Sequence, residues 1–381
     1  MQLTRIGMDI AKHVFQLHGV DEHGRTVLRK TLGRARVLEF FAQLKPCEAG
    51  MEACGGAHYW ARELTRLGHT VRLVSAHKVK PYVDGNKNNH HDAAAICEAM
   101  SRPRMRFVQP KSLAQQDMQS LHRARAMLVR ERTALANQMR GILHEYGIVV
   151  PQGFTPLRRV AAELLASDDR GLTPVLREIV AESLSRLKFI EQRAADYQRR
   201  IERMCQQDER CMRLRAVEGI GPLSATALVA SIGNGREFNN GRHFSAYLGV
   251  VPGHSNTGNK TVMLPITKRG SRYLRTLLIH GGRSAVYAAR RRSDPKSRWL
   301  NRLKAKSGAN VAAVALANKN TRIAWALLRY GQEYRPARAH AQSSSPPARS
   351  ARPAEQQPAS ALQGAAPRSQ NPHFSGPLRA G

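Results

Sequence analysis

Cysteines, acids and aromatics are all sparse in this chain, and each shortage closes off a class of protein. The five cysteines, Cys47, Cys54, Cys97, Cys205 and Cys211, are odd in number and form no Cys-x-x-Cys pair. That argues against a disulfide framework and against a zinc knuckle, so they read as reduced thiols filling core space. No run of about 18 apolar residues occurs and the first residues lack the pattern of a secretory signal, so neither a membrane span nor export is expected. The expected location is cytoplasmic, with no membrane partner.

Acids number 28 against 61 Lys and Arg, a formal charge of +33 with a pI near 11.1. Self-repulsion of that size is tolerated where a polyanion neutralises it, which makes nucleic acid the leading partner and an anionic membrane surface a distant second. Aromatics are 6% of the chain, but 42% hydrophobic residues over 381 positions still allow a folded body of more than one domain.

What is present begins with an acid in an apolar strand. Ile6, Met8 and Ile10 alternate with Gly7 and Asp9, the period of a buried strand, so Asp9 faces away from the apolar set. An unpaired buried carboxylate is costly, and such an acid has a partner, a metal or an open strand end. Asp21 to Gly24 is a turn signal between Val14–Val20 and Thr26–Leu32, which predicts a three-stranded meander. Val37, Phe41 and Leu44 then recur at helical spacing, and Cys47 to Ala53 reads as a strand with Glu52 opposite Ala49, Met51 and Ala53. Gly55 and Gly56 break it before a helix carrying Trp60, Leu64 and Leu67; Thr70 to Val74 is a further strand, and a helix begins near Asp92. That order suits a ribonuclease-H-like α/β layer, in which acids at corresponding ends of elements meet to hold divalent metal. Asp9, Glu52 and Asp92 are the candidate metal ligands, oxygen donors of the kind magnesium takes. Taken singly, Asp92 reads as a helix N-cap.

The residues Gly7-Met8-Asp9-Ile10-Ala11-Lys12, the run Met51-Glu52-Ala53-Cys54-Gly55-Gly56-Ala57-His58-Tyr59-Trp60-Ala61-Arg62 and the stretch Asn86 to Ala99 resemble the DEDD transposases of the insertion-sequence one-ten family, eleven-eleven subgroup. Pilin-gene invertases of the Piv type share the pattern. The resemblance extends to about Tyr330 and implies a RuvC-like catalytic domain, a divalent cation, DNA as substrate, a homo-oligomer (dimer or tetramer), and a structured guide (bridge) RNA. One position departs: the family's fourth acid is Asn89 here. An amide oxygen can ligate a metal but brings no charge, which weakens binding. His90 or His91 could supply a softer nitrogen and favour manganese over magnesium, although both read more simply as solvent-exposed histidines, and Asp84 is a less well placed substitute.

Leu121, Leu128, Leu135 and Ile142 repeat every seven residues, a coiled-coil-like seam on a helix of some thirty residues that also carries Arg123, Arg125, Arg130, Arg132 and Arg140. Those arginines form a candidate nucleic-acid face, or a solvated charged one. Gly147, Pro151, Gly153 and Pro156 interrupt the helix, and a second helical region runs from Thr173 to about Cys205, pairing with the first within the chain or between chains. Val217 to Ala225, with Gly219 and Gly221, resembles a helix-hairpin-helix whose backbone N–H groups would grip a DNA phosphate.

After the strand-like Leu248 to Val251, the polar loop Pro252 to Gly258 could present a hydroxyl, with Lys260, Lys268, Arg269, Arg272 and Arg275 within reach of a phosphate. Here the resemblance implies the family's C-terminal transposase domain, whose nucleophilic Ser corresponds to Thr257; Ser255 is a second candidate hydroxyl, off register with the motif. Gln332 to Gly381 reads as a disordered basic tail. The expected division is 1–110 acidic catalytic, 111–208 basic helical, 209–331 C-terminal transposase and 332–381 tail. The functional expectation is a DNA recombinase that mobilises an insertion sequence. The alternatives are a binding protein descended from one with catalysis weakened at Asn89 and Thr257, and a junction-cutting nuclease using the acids alone.

Overall fold

The structure is a computed structural model that describes residues 2–84, 89–166, 173–258 and 260–336, the side chains of Asn89, Lys260 and Thr261 excepted. The expected antiparallel meander is present as β1 (Arg5–Ile10), β2 (Val14–Val20) and β3 (Thr26–Gly33). After α1 (Val37–Ala42), β4 (Glu48–Glu52) runs parallel to β1. After α2 (Ala57–Arg66), β5 (Thr70–Val74) runs parallel to β4. Then come a single-turn α3 (Ala76–Val79), α4 (Asn89–Ser101) and a two-residue β6 (Phe107–Val108), antiparallel to β5 and not foreseen from the sequence. The strand order is β3-β2-β1-β4-β5-β6.

Period two sorts the faces of this sheet. Ile6, Met8, Ala49 and Met51 turn to one side and join Phe15, Phe41, Trp60 and Leu64 in the core beneath α1 and α2. Gly7 and Gly50, neighbours across β1 and β4, turn to the other side, where α4 lies. A methyl on Gly7 would stand 2.1 Å from the Ala93 carbonyl oxygen and 2.6 Å from the Cys97 nitrogen; one on Gly50 would stand 1.7 Å from Met100 Sδ. The bare backbone at these two positions is what lets the helix rest directly on the strands.

The two long helices form one antiparallel hairpin within the chain. α5 (Leu113–Glu145) opens on a reciprocal cap, in which Ser112 accepts from the Gln115 N–H and Gln115 accepts from the Ser112 N–H, worth about 1 kcal/mol. α7 (Pro174–Gln207) returns alongside it: Leu135, Met139 and Leu143 pack with Leu176, Leu187 and Ile190, and Met118 at the opposite end of α5 shares a core with Cys205. This decides between the two pairings left open by the heptad pattern. Between them lies α6 (Phe154–Ala166), where the sequence showed only an interruption. Its Pro156 sits in the first turn, where the missing N–H has no intrahelical acceptor to lose.

The remainder is mostly helical: α8 (Glu209–Arg215), α9 (Pro222–Ile232), α10 (Gly241–Leu248), then β7 (Pro252–Thr257) and β8 (Lys260–Ile266), followed by α11 (Arg272–Ala288), α12 (Pro295–Ser307) and α13 (Ala309–Tyr330). α13 packs on α10, α11 and α12, and Leu214, Leu228, Phe244, Leu274 and Trp325 fill the core. Two readings of this stretch need correction. Leu248 to Val251 is a helix end and turn, not a strand, and Pro252 to Gly258 is one arm and the turn of a β-hairpin, not a loop. From residue 337 the expected tail lies outside the described residues.

Candidate active site and nucleic-acid surface

Asp9 and Glu52 lie two residues beyond Gly7 and Gly50 on the same two paired strands, so period two turns both toward α4. Asp92 is in the first turn of α4, one residue before the Ala93 carbonyl that covers Gly7. It is therefore inside the helix rather than its N-cap, and the helix carries it to the two strand acids. The electrostatics report the same convergence: burial first, then the Asp9 and Asp92 carboxylates, push the Glu52 carboxyl above its ordinary range. Asp9, Glu52 and Asp92 are thus brought together; Asn89 opens α4, its side chain outside those described, and Asn86 to Asn88 also lie outside the described residues.

Half-buried oxygen donors that repel one another are the donor set a hard divalent cation fits. Among the described residues, however, no three His, Cys, Asp or Glu side chains close into a ready metal cluster. The fit is therefore of kind and charge.

The two candidate hydroxyls lie elsewhere, on the two-stranded sheet of β7 and β8. Ser255 pairs with Val262 and Thr257 with Lys260 at the hairpin tip. Two residues apart on one strand, both exposed, they project from the same face. The sequence could not show this while the segment read as a loop.

The predicted DNA-binding groups divide into outward and inward sets. Arg123 and Arg130, seven residues apart on α5, line a cleft of about 300 Å³ with Gln119, Ser231, Ser271 and Tyr273. Arg125 is half-buried. Arg132 turns inward, its guanidinium 4.2 Å from the Phe154 ring centre and 3.9 Å from Glu191. Lys268 and Arg269 are exposed between β8 and α11, and Lys268 is the one non-glycine among the described residues with positive φ, 55°. In the hairpin of α8 and α9, Gly219 faces inward, not outward as expected: its carbonyl oxygen would lie 1.8 Å from a methyl on Gly281 of α11. Gly221, with open space around it, caps α9 and is the part of the turn that meets solvent.

Two histidines, His122 buried and His58 half-buried, escaped sequence reasoning, because nothing in a lone histidine's neighbours in sequence marks it. His122 joins three helices: Nδ1 lies 2.9 Å from the Tyr273 hydroxyl and Nε2 2.9 Å from Thr226 Oγ1. Thr226 gives its own hydrogen to the Pro222 carbonyl at 2.6 Å. His122 Nε2–H therefore donates to Thr226, and Nδ1 accepts from Tyr273. Burial, then Arg125, lowers the ring to about 4, which keeps it neutral in that role. His58, against Lys111 where α2 meets the start of α5, is likewise lowered to about 4 by burial and then by Lys111, Arg62 and Arg123.

Against known proteins, residues 6–148 match the DEDD transposase model of the IS110 type and residues 211–298 match the model described as Transposase IS116/IS110/IS902 family. A probable family 20 transposase of Pseudomonas aeruginosa is 51% identical over 337 residues, covering 88% of this chain and all of the relative. The transposase for insertion sequence element IS1111A of Coxiella burnetii is 42% identical, covering 87% of this chain and 91% of its own. That for element IS1328 of Yersinia enterocolitica is 38% identical, covering 86% and 98%. With acids gathered on a mixed sheet and both halves matched, the chain belongs to the IS116/IS110/IS902 family of transposases.

Proposed function

We propose that this protein moves an insertion sequence by cleaving and rejoining DNA strands. The observation that carries the reading is the meeting of Asp9, Glu52 and Asp92 on the face of the sheet that α4 covers, where burial first and then the other two carboxylates raise the Glu52 carboxyl. Asp9, Glu52 and Asp92, with Asn89, would hold a divalent cation, magnesium or, with a histidine's help, manganese. Bound there, the ion would supply Lewis-acid polarisation of a phosphate oxygen.

The chain's own hydroxyl does the covalent step. Thr257 Oγ1, or Ser255 Oγ beside it, attacks phosphorus, the bond from phosphorus to a sugar oxygen breaks, the hydroxyl proton is lost, and the leaving sugar oxygen takes one up. Rejoining reverses the exchange, so no oxidant or reductant enters. Threonine's extra methyl slows attack on a crowded phosphorus. Arg123 and Arg130, with Lys268, Arg269 and the exposed Gly221 turn, hold the phosphate backbone in place without reading sequence.

From the sequence pattern we infer the four-part domain division and a helix-hairpin-helix at α8 and α9, and by family kinship action as a homo-oligomer and a guide RNA. The departures at Asn89 and Thr257 favour one second reading, a descendant that binds nucleic acid but catalyses weakly. Amplification across the excised circular junction in cells separates the two. Circles from the natural chain that vanish with Asp9→Ala establish the recombinase. Circles only from an Asn89→Asp, Thr257→Ser double variant establish a weakened site on a sound scaffold.

A further inference from the structure

The end of α11 and all of α12 carry a charge that none of the groups above accounts for. From Arg283 to Lys306 there are nine Lys and Arg and a single acid, Asp294. That acid is already committed, capping α12 through the Ser297 N–H and hydroxyl. Arg290 and Arg291, in the turn after α11, suit the negative end of that helix. Lys304 and Lys306 suit the last turn of α12 in the same way, but helix-end electrostatics do not explain the exposed Arg298 and Arg302 along its middle, nor an exposed aromatic at the end of α11. Tyr287 is 67% exposed, and the Arg290 guanidinium stacks 5.0 Å from its ring centre. The patch adjoins the α8–α9 hairpin, because Arg292 and Lys296 both reach Glu218 there, at 2.7 and 3.3 Å.

We propose that Tyr287 and the basic residues of α12 form a platform for single-stranded nucleic acid. In a duplex the bases are stacked on one another, so an exposed tyrosine among cations gains nothing that a serine would not. An unpaired strand can lay a base on the ring while α12 tracks its phosphates, and Arg290 stacked on the ring adds its charge to the same sandwich. The surface is built from residues other than the acids and the β7–β8 hydroxyls. It assigns the patch to a displaced or unpaired strand, whatever its sequence, since every base has a face to stack. The inference rests on the nucleic-acid reading but not on catalysis.

The test uses the full chain and a fluorescein-labelled strand of about 20 nucleotides, free and annealed to its complement, followed by anisotropy. Tyr287→Ala should weaken binding of the free strand at least about fivefold and leave the duplex within about twofold, while Tyr287→Phe, which keeps the stacking face, should match the natural chain. The same strand in ribose form shows which sugar is preferred, and a loss with either sugar supports the platform. Equal loss for strand and duplex, loss in Tyr287→Phe as well as Tyr287→Ala, or no loss in any variant overturns it. The recombinase reading then still stands on the excision assay. An unaltered melting temperature for Tyr287→Ala, expected of so exposed a side chain, separates a binding loss from a folding one.

Discussion

Glu52 sits where three demands meet: a strand needs its backbone, a half-buried site disfavours its charge, and two neighbouring carboxylates oppose it further. Removing that charge with Glu52→Gln should relieve the repulsion and still weaken manganese binding by about tenfold or more, because a hard cation loses an anionic oxygen. Isothermal titration with the metal alone measures this, and Asn89→Asp should shift affinity the other way. At the hydroxyl centre, a labelled DNA substrate that traps the protein covalently assigns the nucleophile. Thr257→Val abolishes the adduct if Thr257 attacks, and Ser255→Ala does so if its strand neighbour attacks. His122 is buried with both nitrogens in use, so His122→Ala leaves the Tyr273 and Thr226 hydroxyls without their partner and should cost about 1–3 kcal/mol in urea unfolding.

Among the elements, α4 is the one whose placement decides the site, and two glycines set it. Gly7 faces helix backbone, which cannot step aside, whereas Gly50 faces the flexible thioether of Met100. Gly7→Ala should therefore lift α4, weaken metal binding and resist rescue, while Gly50→Ala should be restored by adding Met100→Ala; metal titration beside circular dichroism of each variant checks the contrast. In the long hairpin, Leu143 is fully buried and Leu143→Ala should cost about 2–5 kcal/mol by denaturant titration. The strands and long helices were legible because their apolar periods are strong: alternation in β1, spacing of seven along α5. Asp9 and Glu52 were legible as acids on the off-phase of such strands. The β7–β8 hairpin was not, since it buries little and so carries no apolar alternation in β7. The inward turn of Arg132 and Gly219 was equally hidden, because facing is set by tertiary neighbours distant in sequence.

For the whole molecule, charge and protonation govern behaviour in solution. Binding that neutralises six or more phosphates should fall by about a thousandfold between roughly 50 and 200 mM salt, read from a titration series. His58 and His122 stay neutral in the fold down to about pH 4, whereas an unfolded imidazole takes up its proton near about 6.5. The unfolded chain then binds more protons as pH drops from about 6.5 to about 4, so stability should decline through that window. Thermal melts across it should show a shallower decline for His122→Asn than for the natural chain. Gly7 and Gly50 also bear on how the chain avoids a wrong fold. Were β1 shifted by one residue against its neighbours, Met8 would be turned toward the backbone of α4 and Asp9 into the apolar core. Only the native register leaves α4 a place to settle, so the surface that admits the helix also proofreads strand pairing before the acids can meet.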